Sequence, residues 1–231
     1  MAGAIRNAVR RGATLHVSSE LVRKEALEEF ALPEDRVRLV HHAVSAQSGS
    51  ATLGRQIAGG RYVLVLGRIE KRKNVGAAIE ALHGLPDDVR LVVAGPPGND
   101  SERVDSAIGR HRAGRVVRLP SVSDHDRSAL IAGAELLLWP SLYEGFALPP
   151  LEALSMGTPV IATAVGALPE LVGDIIELVR PGDQDSFAAA VSSGLDSDAG
   201  VATAISERVL AHTWTHAAQA MVGIYAAISA A

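Results

Sequence analysis

Residues 136–162 read LLLWPSLYEGFALPPLEALSMGTPVIA, and this stretch decides the fold. The apolar run Leu136 to Trp139 has the length of a buried strand, about Leu148 to Met156 reads as a helix, and Pro159 to Ala162 is a second buried strand. Two strands joined by a crossover helix form a βαβ unit and must pair in parallel. The intervening loop then lies at the carboxyl ends of the strands, the edge where open α/β sheets bind ligands. That loop carries Glu144 and the helix carries Glu152, with seven residues between them. Pro149 and Pro150 suit the first helical turn, where a missing backbone donor costs little. The free N–H groups there, at the positive end of the helix dipole, attract an anion such as phosphate.

The same pattern extends in both directions. Short apolar runs at Tyr62–Leu66, Val89–Ala94, Val116–Leu119, Glu135–Trp139, Pro159–Ala162 and Ile175–Val179 fit buried strands. Helical stretches are expected near Asn74–His83, Ser101–Arg112, Asp124–Ala134 and Leu148–Met156, then at Gln184–Leu195, Ala199–Ala211 and Thr215–Ala230. Strands alternating with helices indicate an α/β fold with a doubly wound, Rossmann-like parallel sheet. Upstream, residues 2–11 read as helix, Thr14–Val17 as strand, Ser18 or Ser19 as the cap of a helix to about Phe30, and Arg36–Val40 as strand. Ser45–Gly60 lacks periodicity and reads as a linker. The first two strands and helices are too few to bury their own sheet, so they should dock on the larger domain or on another chain.

Composition narrows the function. Nearly half of the 231 residues are apolar (48%), ample for a core, and the net charge of −4 gives no support to a nucleic-acid partner. The absence of cysteine removes disulfide and thiolate chemistry and agrees with a cytoplasmic location, with peripheral membrane attachment left open. No apolar run reaches the length of a membrane span, and the arginine-bearing first nineteen residues lack the apolar run of a signal peptide.

Three features meet at the ligand edge. Gly67 permits a sharp exit from the first long strand into Arg68-Ile69-Glu70-Lys71-Arg72-Lys73-Asn74, a cluster of four cations that could grip phosphate or simply be solvated. Ala94-Gly95-Pro96-Pro97-Gly98 is a second glycine turn, common in α/β proteins. Glu144 alone could be a solvated loop acid, and Glu152 a complement to the helix dipole. Their convergence at one crevice points to a phosphate seat bracketed by carboxylates. His212 and His216 have a metal-compatible spacing but no third ligand, and they read as an ordinary helix pair. Trp214, Met221, Val222, Tyr225 and Ile228 read as a packing stripe.

These residues carry a resemblance. EGFALPPLEA, preceded by PSLY and followed by GTPVIA, resembles the signature of the retaining GT-B glycosyltransferases of family 4. GRIEKRKN is similar to that family's phosphate-binding loop, Gly166-Ala167-Leu168-Pro169-Glu170 to its G-x-L-P-E element, and Thr213-Trp214 through Tyr225 to its closing helix. Order and spacing agree from about Tyr62 to Leu195, nearest to bacterial mannosyltransferase-like members. The resemblance implies the C-terminal, donor-binding half of a GT-B fold: residues 1–44 a remnant of the acceptor-side domain, 45–60 a linker, and 61–231 the Rossmann-like donor domain.

It also implies roles. Arg68 and Lys73 would hold the donor diphosphate, and Glu144 would bind hydroxyls of the donor sugar; these three form the expected catalytic set. The N–H groups of Gly145, Phe146, Ala147 and Leu148 would cradle sugar and phosphate, and Glu152 would take the ribose hydroxyls. Gly67 and Gly95 shape the turns, and the Gly95 turn and the loop from Val122 to Asp124 would flank the base. The donor would be a UDP- or GDP-linked hexose, with a lean towards mannose, and no further cofactor or metal is expected. Two departures stand out: Ala147 replaces a glycine usual in the family, and His41-His42-Ala43-Val44 replaces the usual hinge. An acceptor-binding domain or polypeptide, or self-association through residues 1–44, would complete the enzyme. The alternative is a non-catalytic nucleotide-sugar binding or interaction module. A dehydrogenase fits less well, because no G-x-G-x-x-G follows the first long strand.

Overall fold

The computed structural model describes residues 2–45, 48–195 and 209–229. Six strands form one parallel sheet: β3 (Tyr62–Leu66), β4 (Arg90–Ala94), β5 (Val116–Leu119), β6 (Leu136–Trp139), β7 (Val160–Thr163) and β8 (Leu178–Val179), in the order β5-β4-β3-β6-β7-β8. Val63 faces Leu91 on one side, and on the other it faces Leu136, which begins β6. The chain therefore winds outward in both directions from the β3–β6 pair. The chain leaves β3 for one face of the sheet and β6 for the other, and open α/β sheets place their ligand crevice at such a switch point.

Side chains alternate between two buried layers, as a period of two requires. Tyr62, Leu64 and Leu66 join Leu137, Leu130, Ile131 and Leu151 on one face. Val63 and Val65 join Leu136, Leu138, Ile79 and Phe187 on the other. The first layer is covered by α3 (Ala51–Ala58), α6 (Asp124–Gly133), α7 (Leu148–Ser155) and α8 (Leu168–Val172). The second is covered by α4 (Val75–Ala81), α5 (Ser101–Ile108) and α9 (Gln184–Gly194). Each large aliphatic side chain buried this way contributes about 1.5–3 kcal/mol.

Helix α3 lies within the segment read as a linker, and the reason is visible in its packing. The Ser50 hydroxyl caps the Leu53 N–H, and Gly59 ends the helix at φ 75°. The helix packs through small residues: a Cβ on Gly54 would sit 2.2 Å from the Ala129 carbonyl oxygen, and one on Gly133 would sit 2.7 Å from that of Ala51. The covered side is short, Leu53, Gly54, Ile57 and Ala58, and with a glycine in it the apolar period is weak in the sequence. Other boundaries differ less. The strand expected over Ile175–Val179 keeps only Leu178–Val179, because the N–H groups of Ile175 and Ile176 turn back to the Val172 carbonyl. Helix α5 stops at Ile108, and most of the expected helix Ala199–Ala211 lies outside the described residues. The closing helix Trp214–Ser229 forms, but most of its expected stripe is exposed: Val222, Tyr225 and Ile228 are open, Met221 is half-buried, and Trp214, though exposed, lies against His42 with ring centroids 6.0 Å apart.

The N-terminal unit comprises α1 (Ala2–Arg10), β1 (Leu15–Val17), α2 (Glu20–Phe30) and β2 (Val37–Leu39), with β1 and β2 paired in parallel. Its own core is small, built around Val17, Ala26 and Val37. It docks on this chain's main domain, one of the two surfaces expected, so these contacts lend no support to self-association through residues 1–44. The Glu20 N–H donates to the Glu170 carboxylate at 2.9 Å, His41 Nε2 lies 3.0 Å from the same group, and the Tyr143 hydroxyl donates to Glu25 at 2.6 Å.

Gly54→Ala tests the α3–α6 contact. The added methyl forces the two helices apart, and urea denaturation is expected to show a loss of about 1–3 kcal/mol. An unchanged midpoint would return residues 45–60 to the status of a loose linker.

Candidate functional site

The two glycine turns interlock. Gly67 at φ 122° and Gly95 at φ 143° use the left-handed region, and a Cβ on Gly95 would meet the Gly67 carbonyl oxygen at 2.1 Å. Beyond Gly67 the chain makes a single 3-10 turn, Lys71–Lys73, before α4. That turn directs Lys73 back beneath the sheet edge, with Nζ 4.0 Å from the centre of the Trp139 ring and 2.5 Å from Glu144 Oε1. Arg72 donates to Glu144 Oε2 at 2.8 Å, and the Ser141 hydroxyl donates to Oε1 at 2.8 Å. Glu144, only 6% exposed, is therefore held by two cations and a hydroxyl. Burial pushes the Lys73 ammonium below the ordinary lysine range, and its bond and charge contact with Glu144 pull back the other way.

The loop beyond Glu144 is shaped for its amides. Ala147 sits at φ 76°, ψ 61°, immediately before α7. For a residue with a Cβ, that conformation costs roughly 1–2 kcal/mol. Ala147 is buried in the hydrophobic core, so surrounding packing holds the strained backbone in place. The Phe146 carbonyl accepts from the Ala167 N–H at 3.0 Å, and a Cβ on Gly166 would lie 2.7 Å from that same oxygen. Among the described residues, the N–H groups of Gly145, Phe146, Ala147 and Leu148 meet no protein acceptor.

The remaining residues singled out in the sequence are placed as follows. Arg68 is exposed and donates to the Pro97 carbonyl at 2.9 Å, on the Gly95 turn; it makes no contact with Lys73 or Glu144. Glu152 is paired with Arg127 of α6. Val122 is half-buried against the core, one residue before Ser123, which caps α6. Sequence reading passed over three Asp-x-Asp triplets: Asp196-Ser197-Asp198, which lies outside the described residues, and the pair Asp124-His125-Asp126 and Asp183-Gln184-Asp185. Both begin helices, and Asp183 itself caps α9. It also left Arg72, Trp139, Ser141 and Arg127 out of the site. Arg72 lies in the quoted basic loop, but composition does not say which cations turn inward. Only the 3-10 turn does that.

The description "Glycosyl transferases group 1" belongs to the family model that matches residues 55–209, a span that begins inside α3. The O-antigen chain mannosyltransferase B of Escherichia coli is 33% identical over 193 residues, covering 78% of this chain and 51% of that protein. The MMP alpha-(1->4)-mannosyltransferase of Mycolicibacterium hassiacum is 32% identical over 181 residues, covering 75% of this chain and 43% of that one. Among solved structures, sucrose-phosphate synthase from Thermosynechococcus elongatus has a TM-score of 0.78 at 25% identity, covering 93% of this chain and 58% of that one. The chain thus spans about half the length of the curated relatives it matches.

With Lys24, Lys71 and Lys73 as the only lysines, the Lys73 titration can be followed directly by NMR after reductive methylation. Its midpoint is expected below the ordinary lysine range, and Glu144→Gln should lower it further by removing the favourable charge. An upward shift in that variant would contradict the burial-dominated site.

Proposed function

The chain belongs to the group 1 glycosyl transferases and has the parallel-sheet fold of GT-B enzymes, and from that premise we propose that it is a donor-binding half, which holds the nucleotide sugar of a hexosyl transfer. The donor would lie in the β3–β6 crevice. Supporting this is the pairing of Lys73 and Arg72 with Glu144 beside a run of backbone N–H groups without protein acceptors. A diphosphate carries the charge and the oxygens that such a set is built to receive.

The chemistry then follows from charge. As the bond from the sugar to the diphosphate breaks, negative charge grows on the departing phosphate oxygens. Fixed cations and amides stabilise it without needing to reorganise. Lys73 would transfer its hydrogen bond from Glu144 to phosphate, and Arg68, held on the outer turn, would swing in from Pro97. Glu144, thereby released, would accept hydrogen bonds from hydroxyls of the donor sugar, and Ser141 would keep its carboxylate oriented. Glu152, steadied by Arg127, would bind the ribose, and Gly95 and Val122 would border the base. The relatives named as mannosyltransferases favour mannose as the hexose, carried on GDP or UDP. The family resemblance favours retention of configuration, without a divalent ion. Acceptor binding would fall to an acceptor-side domain or polypeptide meeting the same crevice, in the cytoplasm or at a membrane surface.

Isothermal titration with UDP, GDP and their hexose conjugates tests the reading. At least one should bind, and Lys73→Ala should weaken it by about tenfold or more, as expected for loss of a charge-assisted contact. No binding by any of the four classes of ligand would overturn the proposal.

A further inference from the structure

The donor loop is held from outside by a residue that no motif includes. Ser19, fully buried, donates from its hydroxyl to the Gly145 carbonyl at 2.6 Å, and the same oxygen accepts from the Val22 N–H at 3.3 Å to cap α2. Both capacities of the hydroxyl are thus in use. A trans peptide is planar, so the Gly145 carbonyl and the Phe146 N–H point in opposite directions. Fixing the carbonyl on Ser19 therefore fixes the Phe146 N–H facing away from α2. The next peptide is fixed in the same manner: Ala167 N–H holds the Phe146 carbonyl, which turns the Ala147 N–H away from α8. Neither N–H has a protein acceptor among the described residues.

We propose that Ser19, although it belongs to the N-terminal unit, is a positioning residue for the donor loop, aiming the Phe146 amide at the donor's anionic group. Its own position is fixed at two further points. The Glu20 N–H and His41 both meet the Glu170 carboxylate, and the His42 ring packs edge-on against Phe146 with centroids 5.0 Å apart. Glu170 follows the Gly166–Ala167 turn that carries the second anchor, so the loop is gripped from both sides by elements tied to each other. In this arrangement the N-terminal unit sets donor affinity without touching the donor. Aligned amides are effective because their orientation is settled before the charge arrives.

This inference rests on the donor-site reading above, and the experiment separates the two. UDP and GDP are titrated into the natural chain, Ser19→Ala, Ser19→Thr and Ser50→Ala, with amide NMR on the Phe146 and Ala147 resonances. Ser50 caps α3 with a comparable hydroxyl and makes no hydrogen bond to the loop among the described residues, so it controls for the loss of a helix cap. The expected result is about tenfold weaker binding for Ser19→Ala, with a smaller nucleotide-induced shift of the Phe146 amide. Ser19→Thr should retain affinity and Ser50→Ala should match the natural chain. If the natural chain binds and Ser19→Ala binds equally well, the positioning role is wrong while the donor site stands. If the natural chain binds but its Phe146 and Ala147 amides do not respond, the role is also wrong, even if Ser19→Ala fails to fold. If the natural chain binds neither nucleotide, the same titrations are run with the hexose conjugates, and if those fail too the donor reading and this inference fall together.

Discussion

Glu144 is nearly cut off from water, and a buried carboxylate is tolerable only where cations and donors surround it. That requirement organises the ligand edge of the protein. It draws Lys73 under the sheet and Arg72 across the loop, and it occupies the Ser141 hydroxyl. The apolar face of Trp139 accepts the Lys73 ammonium from the other side, an interaction worth about 0.5–2 kcal/mol. Burying a lysine beside a glutamate is not an efficient way to stabilise a fold, since hydrophobic replacements often do as well. The arrangement makes better sense as a store of paired charge at the crevice, ready to be exchanged for the charges of a ligand.

The sheet supplies the rigidity that such an exchange needs. Strands β3 and β6 lie side by side with buried side chains on both faces, so the ends from which the two loops depart are fixed relative to each other. The loops are then fastened to their neighbours by backbone contacts that only glycine allows, Gly95 against Gly67 and Gly166 against Phe146. Ala147 holds a left-handed conformation in the same loop, where its methyl is absorbed into the core. Flexibility has been removed at the points where amide direction matters.

Much of this was legible in the sequence, for an identifiable reason. Central parallel strands are covered on both faces, so they appear as unbroken apolar runs such as Tyr62–Leu66 and Leu136–Trp139. The acid-flanked start of α7 and the glycine exits marked the carboxyl ends of β6, β3 and β4. Helix α3 escaped notice because its packing face is only two turns long and half of it is Gly54 and Ala58, with Ile57 the one large side chain packed on the core. The stripe on the closing helix was misleading in the opposite sense: its apolar residues are real, yet Val222, Tyr225 and Ile228 are exposed and only Trp214, against His42, and the half-buried Met221 meet anything. Arg68 and Lys73 looked equivalent in the basic loop, but the 3-10 turn sends one to an outer carbonyl and the other to Glu144. The cap of α2 was expected at Ser18 or Ser19 and is Ser19, but its second bond spans too much sequence for any local pattern to reveal.

The central claim is that the Glu144 charge pair opens to receive a diphosphate. The most direct measurement is a crystal structure of this chain with a nucleoside diphosphate hexose bound. The account predicts phosphate oxygens within hydrogen-bond distance of Lys73 Nζ and the Phe146 and Ala147 amides, with Nζ drawn away from Glu144. A ligand seated elsewhere on the sheet, with the Lys73–Glu144 pair still closed, would contradict it.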